Sequence, residues 1–426
     1  MAEQKDWTVM VYMAGDNNLD GAGVVDLKEM KKVGSTKQMN VIVQFDREGK
    51  NMATNRYYIQ KGGTVTKDKV TGLGETNMGD PKILEDFVTW GVKNYPAKHY
   101  LLVLWNHGAG WDDANLYEGD VFNGAAPPVS RKKQLFATGR AVNRGLKPLP
   151  FTLTRAALSR TKRALFRTSV EKAVKSRAIA FDDQAQDFLD NVELKRVMTR
   201  IKKSLKRPID ILGMDACLMS MTEVAYQMRA VANYIVGSEE TEPGDGWPYD
   251  RILKTLAANP SMTPEAVSKL IVTQYIASYT ASDNVTQSAV RLAHLKALTC
   301  AVSGLGKSLS NALTNPSLYG AIMAVRARVQ EYSRPYDDYC DLLDLCGLLE
   351  NTLTDGQVRK ACSAVKTAAT GTIVVSGCKG AAVSKSHGLS IYFPKRTLSP
   401  LYKTLDFTKA SAWDEFLKAY VTSLGR

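Results

Sequence analysis

The chain has 426 residues, 44% of them hydrophobic, and a formal net charge of +13. That length holds roughly two or three domains, and no apolar run approaches the ~18 residues that read as a membrane-spanning helix. The opening Met1-Ala-Glu-Gln-Lys-Asp-Trp7 has no apolar core, so no signal peptide is read and the cytoplasm is the expected compartment; a mature form, or export by another route, would look the same.

The charge is uneven. From Arg131 to Arg177 there are fourteen Lys and Arg against a single acid, Glu171, so this segment carries the whole excess. The remainder is neutral. The six cysteines include no Cys-x-x-Cys pair, which argues against a disulfide scaffold or a structural zinc site. Most are expected as small buried hydrophobes.

Trp7–Met13 reads as a buried strand. It ends in Ala14-Gly-Asp-Asn-Asn18, and a helical pattern follows from Leu19 to Val33. Asn40–Phe45 is a second strand. Arg56–Gln60 and Gly63–Thr66 suggest a hairpin around Gly62-Gly63. Asp80-Pro81 caps a helix running to Asn94, and Tyr100–Trp105 is the third core strand. Periodicity then fails until Ala178–Phe181, a short strand candidate. A helix at Val192–Leu205, a strand at Asp210–Met214, a helix at Thr222–Val231 and a strand at Tyr234–Ser238 follow. This alternation predicts an α/β fold with a mostly parallel sheet flanked by helices.

Beyond residue 255 helical periods dominate, at Pro264–Tyr279, Lys296–Leu313, Leu318–Tyr332, Asp338–Leu349, Gly356–Ala369 and Ala412–Thr422. Strand candidates interrupt them at Ser288–Leu292, Thr372–Val375 and Leu389–Phe393. The expected division is a catalytic domain over 1–255, with a basic insert at about 112–177, and a mainly helical region over 256–426 that contributes strands.

Two strands end on reactive side chains. His107-Gly108 closes the run from Tyr100, and Cys217 closes the run from Asp210. Ligand sites of open parallel sheets lie beyond the carboxyl ends of the strands. An imidazole beside a thiol raises the thiolate fraction and can protonate a leaving amine. The backbone N–H groups of Gly108 and Cys217 would serve as oxyanion donors. The same residues also fit a buried core cysteine and a strand-end histidine.

A Gly/Pro turn carrying Glu239, Glu240, Glu242 and Asp245 follows the fifth strand. Such an acid, or Asp215 two residues before Cys217, would select a basic substrate group; a solvated acidic loop is the alternative. The basic insert fits nucleic acid, a cleavable loop or a solvated excursion, but it lacks the regular aromatic interleaving of a base-stacking surface. There is no phosphate-binding Gly-x-x-x-x-Gly-Lys-Ser/Thr, no His-Glu-x-x-His and no Gly-x-Ser-x-Gly.

Four stretches together resemble the clostripain family of cysteine peptidases: Trp7-Thr-Val-Met-Val-Tyr-Met-Ala-Gly-Asp-Asn-Asn-Leu19, Trp105-Asn-His-Gly-Ala-Gly-Trp111, Met214-Asp-Ala-Cys-Leu-Met219 and Gly388-Leu-Ser-Ile-Tyr-Phe-Pro394. The resemblance implies the fold of caspases, legumain and gingipains, with a His107–Cys217 dyad. It implies peptide or protein substrates with Arg or Lys at P1, with Asp245 and then Asp215 as the acids of the S1 pocket. It also implies self-cleavage between His and Cys, leaving a monomer or an associated light and heavy chain. Lys175 and Arg177, the last basic residues before Lys195, are the expected cut sites. No cofactor is expected. Calcium activation occurs in the family, but no calcium-loop motif is present, and secretion is common among its members.

Overall fold

The computed structural model describes residues 3–49, 52–111, 178–182, 187–332 and 338–424. The candidate cut sites Lys175 and Arg177 lie outside these residues.

A nine-stranded sheet organises the chain. Its strands are β1 (Lys5–Gly15), β2 (Met39–Arg47), β3 (Thr54–Tyr58), β4 (Lys69–Gly74), β5 (Ala97–Trp105), β8 (Ile209–Asp215), β9 (Ala232–Gly237), β10 (Val285–Arg291) and β13 (Ile373–Lys379). The order is β13-β10-β9-β8-β5-β1-β2-β3-β4. A short antiparallel pair, β6 (Ala178–Asp182) and β7 (Asp187–Asp190), stands apart. So does a three-stranded sheet of β11 (Glu331–Tyr332), β12 (Tyr339–Asp341) and β14 (Ser390–Tyr392).

The five central strands, β2-β1-β5-β8-β9, are parallel, while β3, β4, β10 and β13 add on antiparallel at the two edges. Central strands covered on both faces need apolar residues at every position. Every residue from Trp7 to Gly15 of β1 and all of β8 are buried. The edge strand β4 is largely exposed. The sheet also crosses the expected boundary at residue 255, because β10 and β13 both belong to it.

Helices cover both faces. On one face lie α1 (Asp20–Val33), α5 (Tyr249–Ala258) and α6 (Pro264–Ser278), packed on Val9, Val11, Val43, Val103 and Ile211. On the other lie α2 (Pro81–Asn94), α3 (Asn191–Leu205), α4 (Thr222–Met228) and α7 (Leu295–Ala312), against Met10, Tyr12, Leu102, Leu104, Leu212 and Met214. Alternate residues of each strand therefore feed opposite cores. Local signals set several helix starts. Asp80 accepts from Lys82 N, with Pro81 at the first helical position of α2. Asp190 and Glu193 form a reciprocal capping box on α3. The remaining helices are α8 (Pro316–Arg328), α9 (Leu342–Thr352), α10 (Gly356–Thr372), α11 (Asp406–Ala410) and α12 (Trp413–Leu424).

Three local expectations change. The second hairpin arm is Lys69–Gly74, because Val65–Asp68 is a 3-10 turn. Residues 339–341 form β12 before α9 begins, with Asp341 capping that helix. Helix α5 occupies Tyr249–Ala258, where the Gly/Pro-rich turn had masked an amphipathic period.

Candidate active site

β5 and β8 are hydrogen-bonded neighbours, with Trp105 paired to Asp215. His107 and Cys217 each lie two residues beyond these strand ends, so the topology delivers both to one edge of the sheet. Asn106 stitches the edge together. Its N–H donates to Asp215 O (3.3 Å) and its side-chain amide to Ala14 O of β1 (2.5 Å).

Gly108 brings the two segments into contact. A Cβ at this position would fall 2.3 Å from Cys217 O and 3.0 Å from Cys217 N. Any side chain would force the backbones apart. The Gly108 N–H also hydrogen-bonds the thiol. Gly110, at φ +69°, lies just as tightly against Met221 and Tyr339. The segment is then locked by Trp111, fully buried edge-to-face against Tyr392 and Tyr402 at 4.7 and 4.8 Å between centroids. Tyr339 Oη donates to Ala109 O (2.9 Å), so residues from beyond 330 hold the His107 loop.

The His107 ring is half-buried, and its Nε2 lies 2.8 Å from Asn18 Oδ1. Asn18 follows β1, the strand on the other side of β5. In the sequence, Ala14–Asn18 reads as a loop closing the first strand within a family-like stretch, with no role for Asn18. The signal that could have found Asn18 is its place beyond a central strand end.

Cys217 is only 3% exposed. Glu242 N–H donates to its sulfur (3.2 Å), and the turn after β9 runs alongside, with Leu218 N–H to Glu240 O (3.2 Å) and Ser220 N–H to Ser238 O (2.8 Å). Leu218 takes φ +64°, a conformation that a side chain adopts only at a cost of about 1–3 kcal/mol. Burial pushes the thiol up to about 12, against the opposing hydrogen bond from Glu242. The resting sulfur is thus neutral and covered.

Asp215 is the last residue of β8 and does not share a face with Cys217, since strand alternation ends with it. It turns into the α1–α5–α6 side, accepting from Tyr249 Oη (2.8 Å) and Trp247 N (3.3 Å). Burial raises it to about 6, against the hydrogen bonds from Glu242, Tyr249 and Trp247. Glu242 is buried beside it and raised well above the usual range, by burial first and then by the Asp215 charge. Gln287 Nε2 donates to Glu242 Oε1 (3.2 Å). Asp26 of α1 accepts from Trp105 Nε1 (2.8 Å) and is raised by burial and by Asp215. Asp245 is half-buried and lines a cleft of about 210 Å³ with Glu29, Gly246 and Ser278.

Gln287 and Asp26 have no site role in the sequence reading, and Glu242 appears there only as one of four acids of the turn. The cysteines are all free, and Cys300 departs from expectation by lying exposed on α7. One further group stands out among the described residues: Asp16, Asp46 and Glu75 bring one carboxylate oxygen each to within 4.8 Å of one another. No helix among the described residues is long and apolar enough to cross a membrane.

The pattern of the clostripain family matches residues 11–121 and 167–420, leaving out 122–166 within the basic insert. Over 278 residues the chain is 26% identical to clostripain of Hathewaya histolytica, which is 59% of this chain and 42% of that protein. The chain thus spans about two fifths of that relative's length. It is similar in structure to an inactive zymogen C11 protease from Parabacteroides distasonis, with TM-score 0.62 and 20% identity over 96% of this chain and 99% of that one. It is also similar to a secreted C11 cysteine protease from Bacteroides thetaiotaomicron in complex with an irreversible peptide inhibitor, with TM-score 0.61 and 20% identity over 96% and 100%. Likeness at that identity speaks for the caspase-like fold, and the family match takes in both strand ends that meet at Gly108. The chain belongs to the clostripain family of cysteine peptidases.

Proposed function

We propose that the chain is an endopeptidase that cleaves after Arg or Lys, with Cys217 as nucleophile and His107 as the group that handles the proton. The observation that carries this reading is the backbone of Gly108 pressed onto Cys217 at the ends of adjacent parallel strands. Cys217 attacks the scissile carbonyl carbon and its proton passes to the imidazole. The imidazolium then protonates the leaving amine, and water releases the acyl group. The N–H groups of Gly108 and Cys217 receive the oxyanion. Asp245 and Asp215 are the acids of the S1 pocket, and their buried or half-buried setting supports a charged guest.

The covered, neutral thiol supports reading the resting chain as a precursor. The basic insert, tethered next to the site, is a substrate in cis at high effective concentration, with Lys175 or Arg177 as the cut position. The thiol–imidazole chemistry supplies its own nucleophile and acid, so the scheme calls on no cofactor. Chelation followed by calcium readdition tests whether a metal at Asp16, Asp46 and Glu75 contributes.

The test is hydrolysis of Arg-, Lys- and Ala-amide peptides by the purified chain, with mass spectrometry of the chain itself. Cleavage of the basic peptides alone, with processing near Lys175 or Arg177, supports the proposal. Salt-sensitive nucleic-acid binding with no hydrolysis would replace it by a non-catalytic binding role for the insert.

A further inference from the structure

The loop behind Cys217 is strained and held from two directions. Leu218, next to the nucleophile, takes φ +64°. A side chain keeps that conformation only where its surroundings over-determine it. Leu218 N–H and Ser220 N–H donate to Glu240 O and Ser238 O in the turn after β9 (3.2 and 2.8 Å). Ser220 O accepts from Ser390 N–H (3.0 Å) and Ser390 Oγ (3.2 Å) at the start of β14.

Both supports meet in residues 388–390. Gly388 N–H donates to Glu239 Oε2 (2.8 Å), which ties the segment to the turn. Gly388 O accepts from Ser220 Oγ (2.8 Å) and from Ser288 Oγ of β10 (2.5 Å), which ties it to the loop and to the sheet. A Cβ at Gly388 would fall 2.7 Å from Ser376 Cβ and 2.9 Å from Ser288 Cβ, so only glycine allows this approach.

The segment is anchored one residue upstream. His387 meets Asp341 twice, by its N–H on Oδ2 (2.6 Å) and by Nδ1 at 3.0 Å from Oδ1. Asp341 is fully buried and caps α9, accepting from Leu343 N and Asp344 N (2.9 and 2.7 Å), so it is a fixed post. Ser220, Ser288, Ser390 and Glu239 are buried as well. Among these groups the His387 ring alone opens to solvent, with 46% of its side chain exposed.

We propose that His387, fixed on Asp341, is a positioning residue for Cys217: it sets Gly388 and Ser390, and through them the turn and the loop that hold the nucleophile and its N–H. Turnover then depends on a second imidazole besides His107. The bond to Asp341 raises the His387 ring above its ordinary value, against partial burial. A charged ring binds the carboxylate more strongly than a neutral one. The extra hold is complete below about 6.5, the ordinary histidine value, and is lost as pH rises through the raised one. The titratable and charged groups around the ring are Asp341 and Asp344 of α9, Tyr332 of β11, Glu239 in the turn, Cys378 of β13 and the adjoining Lys385. Burial raises Tyr332 and Cys378, which keeps both neutral near pH 7. Glu239 is raised by burial and then by the Asp341 charge, so it is the rival source of a pH step.

This inference rests on Cys217 as the nucleophile, and its test separates the two. The chain has four histidines, so ring-proton NMR of the full-length Cys217→Ala chain follows the His387 titration, assigned with His387→Asn. That substitution keeps a donor near the Nδ1 position and removes the titration. In wild type, kcat for an Arg-amide peptide should fall about two- to fivefold as pH rises through the His387 titration, with KM nearly unchanged. His387→Asn should lack the step. Hydrogen exchange of the Leu218 and Ser220 amides in Cys217→Ala, corrected for its intrinsic pH dependence, should lose protection by a similar factor over the same interval. A His387 titration at or below about 6.5 overturns the proposal, as does exchange protection that ignores that titration. A kcat step that persists in His387→Asn assigns it to Glu239 and overturns the proposal too. A step in protection without cleavage of Arg or Lys peptides supports the hold on the loop and overturns the catalytic reading of Cys217. The NMR and exchange series on Cys217→Ala decide the matter even if His387→Asn does not fold.

Discussion

The two sides of the sheet's active edge are built on opposite principles. On the side of α2, α3 and α7, the segment after β5 is clamped by Trp111, Tyr392, Tyr402 and Tyr339, an apolar cluster whose tyrosine hydroxyls are bonded to backbone or to Glu223. On the side of α1, α5 and α6, the segment after β8 leads to Asp26, Asp215 and Glu242, which are buried and have no cation bonded to them among the described residues. The first side fixes where His107 stands. The second keeps three carboxyls buried at a cost in stability, which suits the pocket proposed for a basic P1 residue. Aromatic burial brings several kcal/mol, whereas an acid kept from ionising costs about 1.4 kcal/mol per unit of pKa displacement. The fold can carry the second because the first is so dense.

The largest expected effect removes the chemistry without touching either side. Cys217→Ala should abolish hydrolysis of Arg and Lys amides, and His107→Ala should do nearly the same, because members of one catalytic unit do not act additively. On denaturing gels the wild-type chain should resolve into two fragments, while Cys217→Ala stays as one 46.8 kDa chain. Retention of most activity, or fragments in the Cys217→Ala sample, would remove the dyad from the mechanism.

Next comes a change that breaks the apolar side. Trp111→Ala empties a fully buried site and should lower unfolding stability by about 3–5 kcal/mol, read as a shift of the urea midpoint. Some activity should survive at low temperature, since the pocket acids are untouched. A small shift in midpoint would mean that the aromatic clamp is not what holds the loop.

The matching change on the acidic side should do the reverse. Asp215→Asn should lower kcat/KM for Arg substrates about tenfold to a hundredfold, the worth of a charge-assisted bond at roughly 1.5–3 kcal/mol, with Asp245→Asn in the same range. The pH dependence has a definite sign. Asp215 is raised to about 6, so kcat/KM should climb as pH passes through about 6 and the carboxylate forms. Stability runs the other way. Between about 4, the ordinary carboxylate value, and about 6 the native chain keeps a proton that the unfolded chain has lost, so stability falls as pH rises across that window. Asp215→Asn should flatten both slopes. A pH–rate profile unchanged by the substitution would remove Asp215 from the pocket.

The apolar side was largely legible in the sequence. Runs such as Tyr100–Trp105 have few alternatives once both neighbours are helices, whereas the contact of Gly108 with the Cys217 backbone is visible only in the structure. The acidic side was legible only in part. Asp215 and Asp245 stood out by type and by nearness to Cys217. Glu242 looked like any acid of a solvated turn, because burial of a turn depends on what packs over it, here α6 and β10. Gln287 lies far along the chain and reaches Glu242 because β10 adds antiparallel to β9. Asp215 and Cys217, two residues apart, do not share a face, because alternation holds only inside a strand and the strand stops at Asp215.

The smallest expected effect probes the seam between the two sides. Asn18 sits after β1, outside both clusters, and touches the site only through His107 Nε2 at 2.8 Å. It is exposed, so its removal should cost little stability. Its work is to hold the ring at one angle, and a neutral hydrogen bond of this kind is worth about 0.5–1.5 kcal/mol. Asn18→Ala should therefore lower kcat by about two- to tenfold and leave KM for Arg substrates nearly unchanged, because the proposed S1 acids lie on the other side of the sheet. Asn18→Asp should restore the acceptor and recover much of kcat. A loss confined to KM would place Asn18 in substrate binding and dissolve the division between a side that positions and a side that selects.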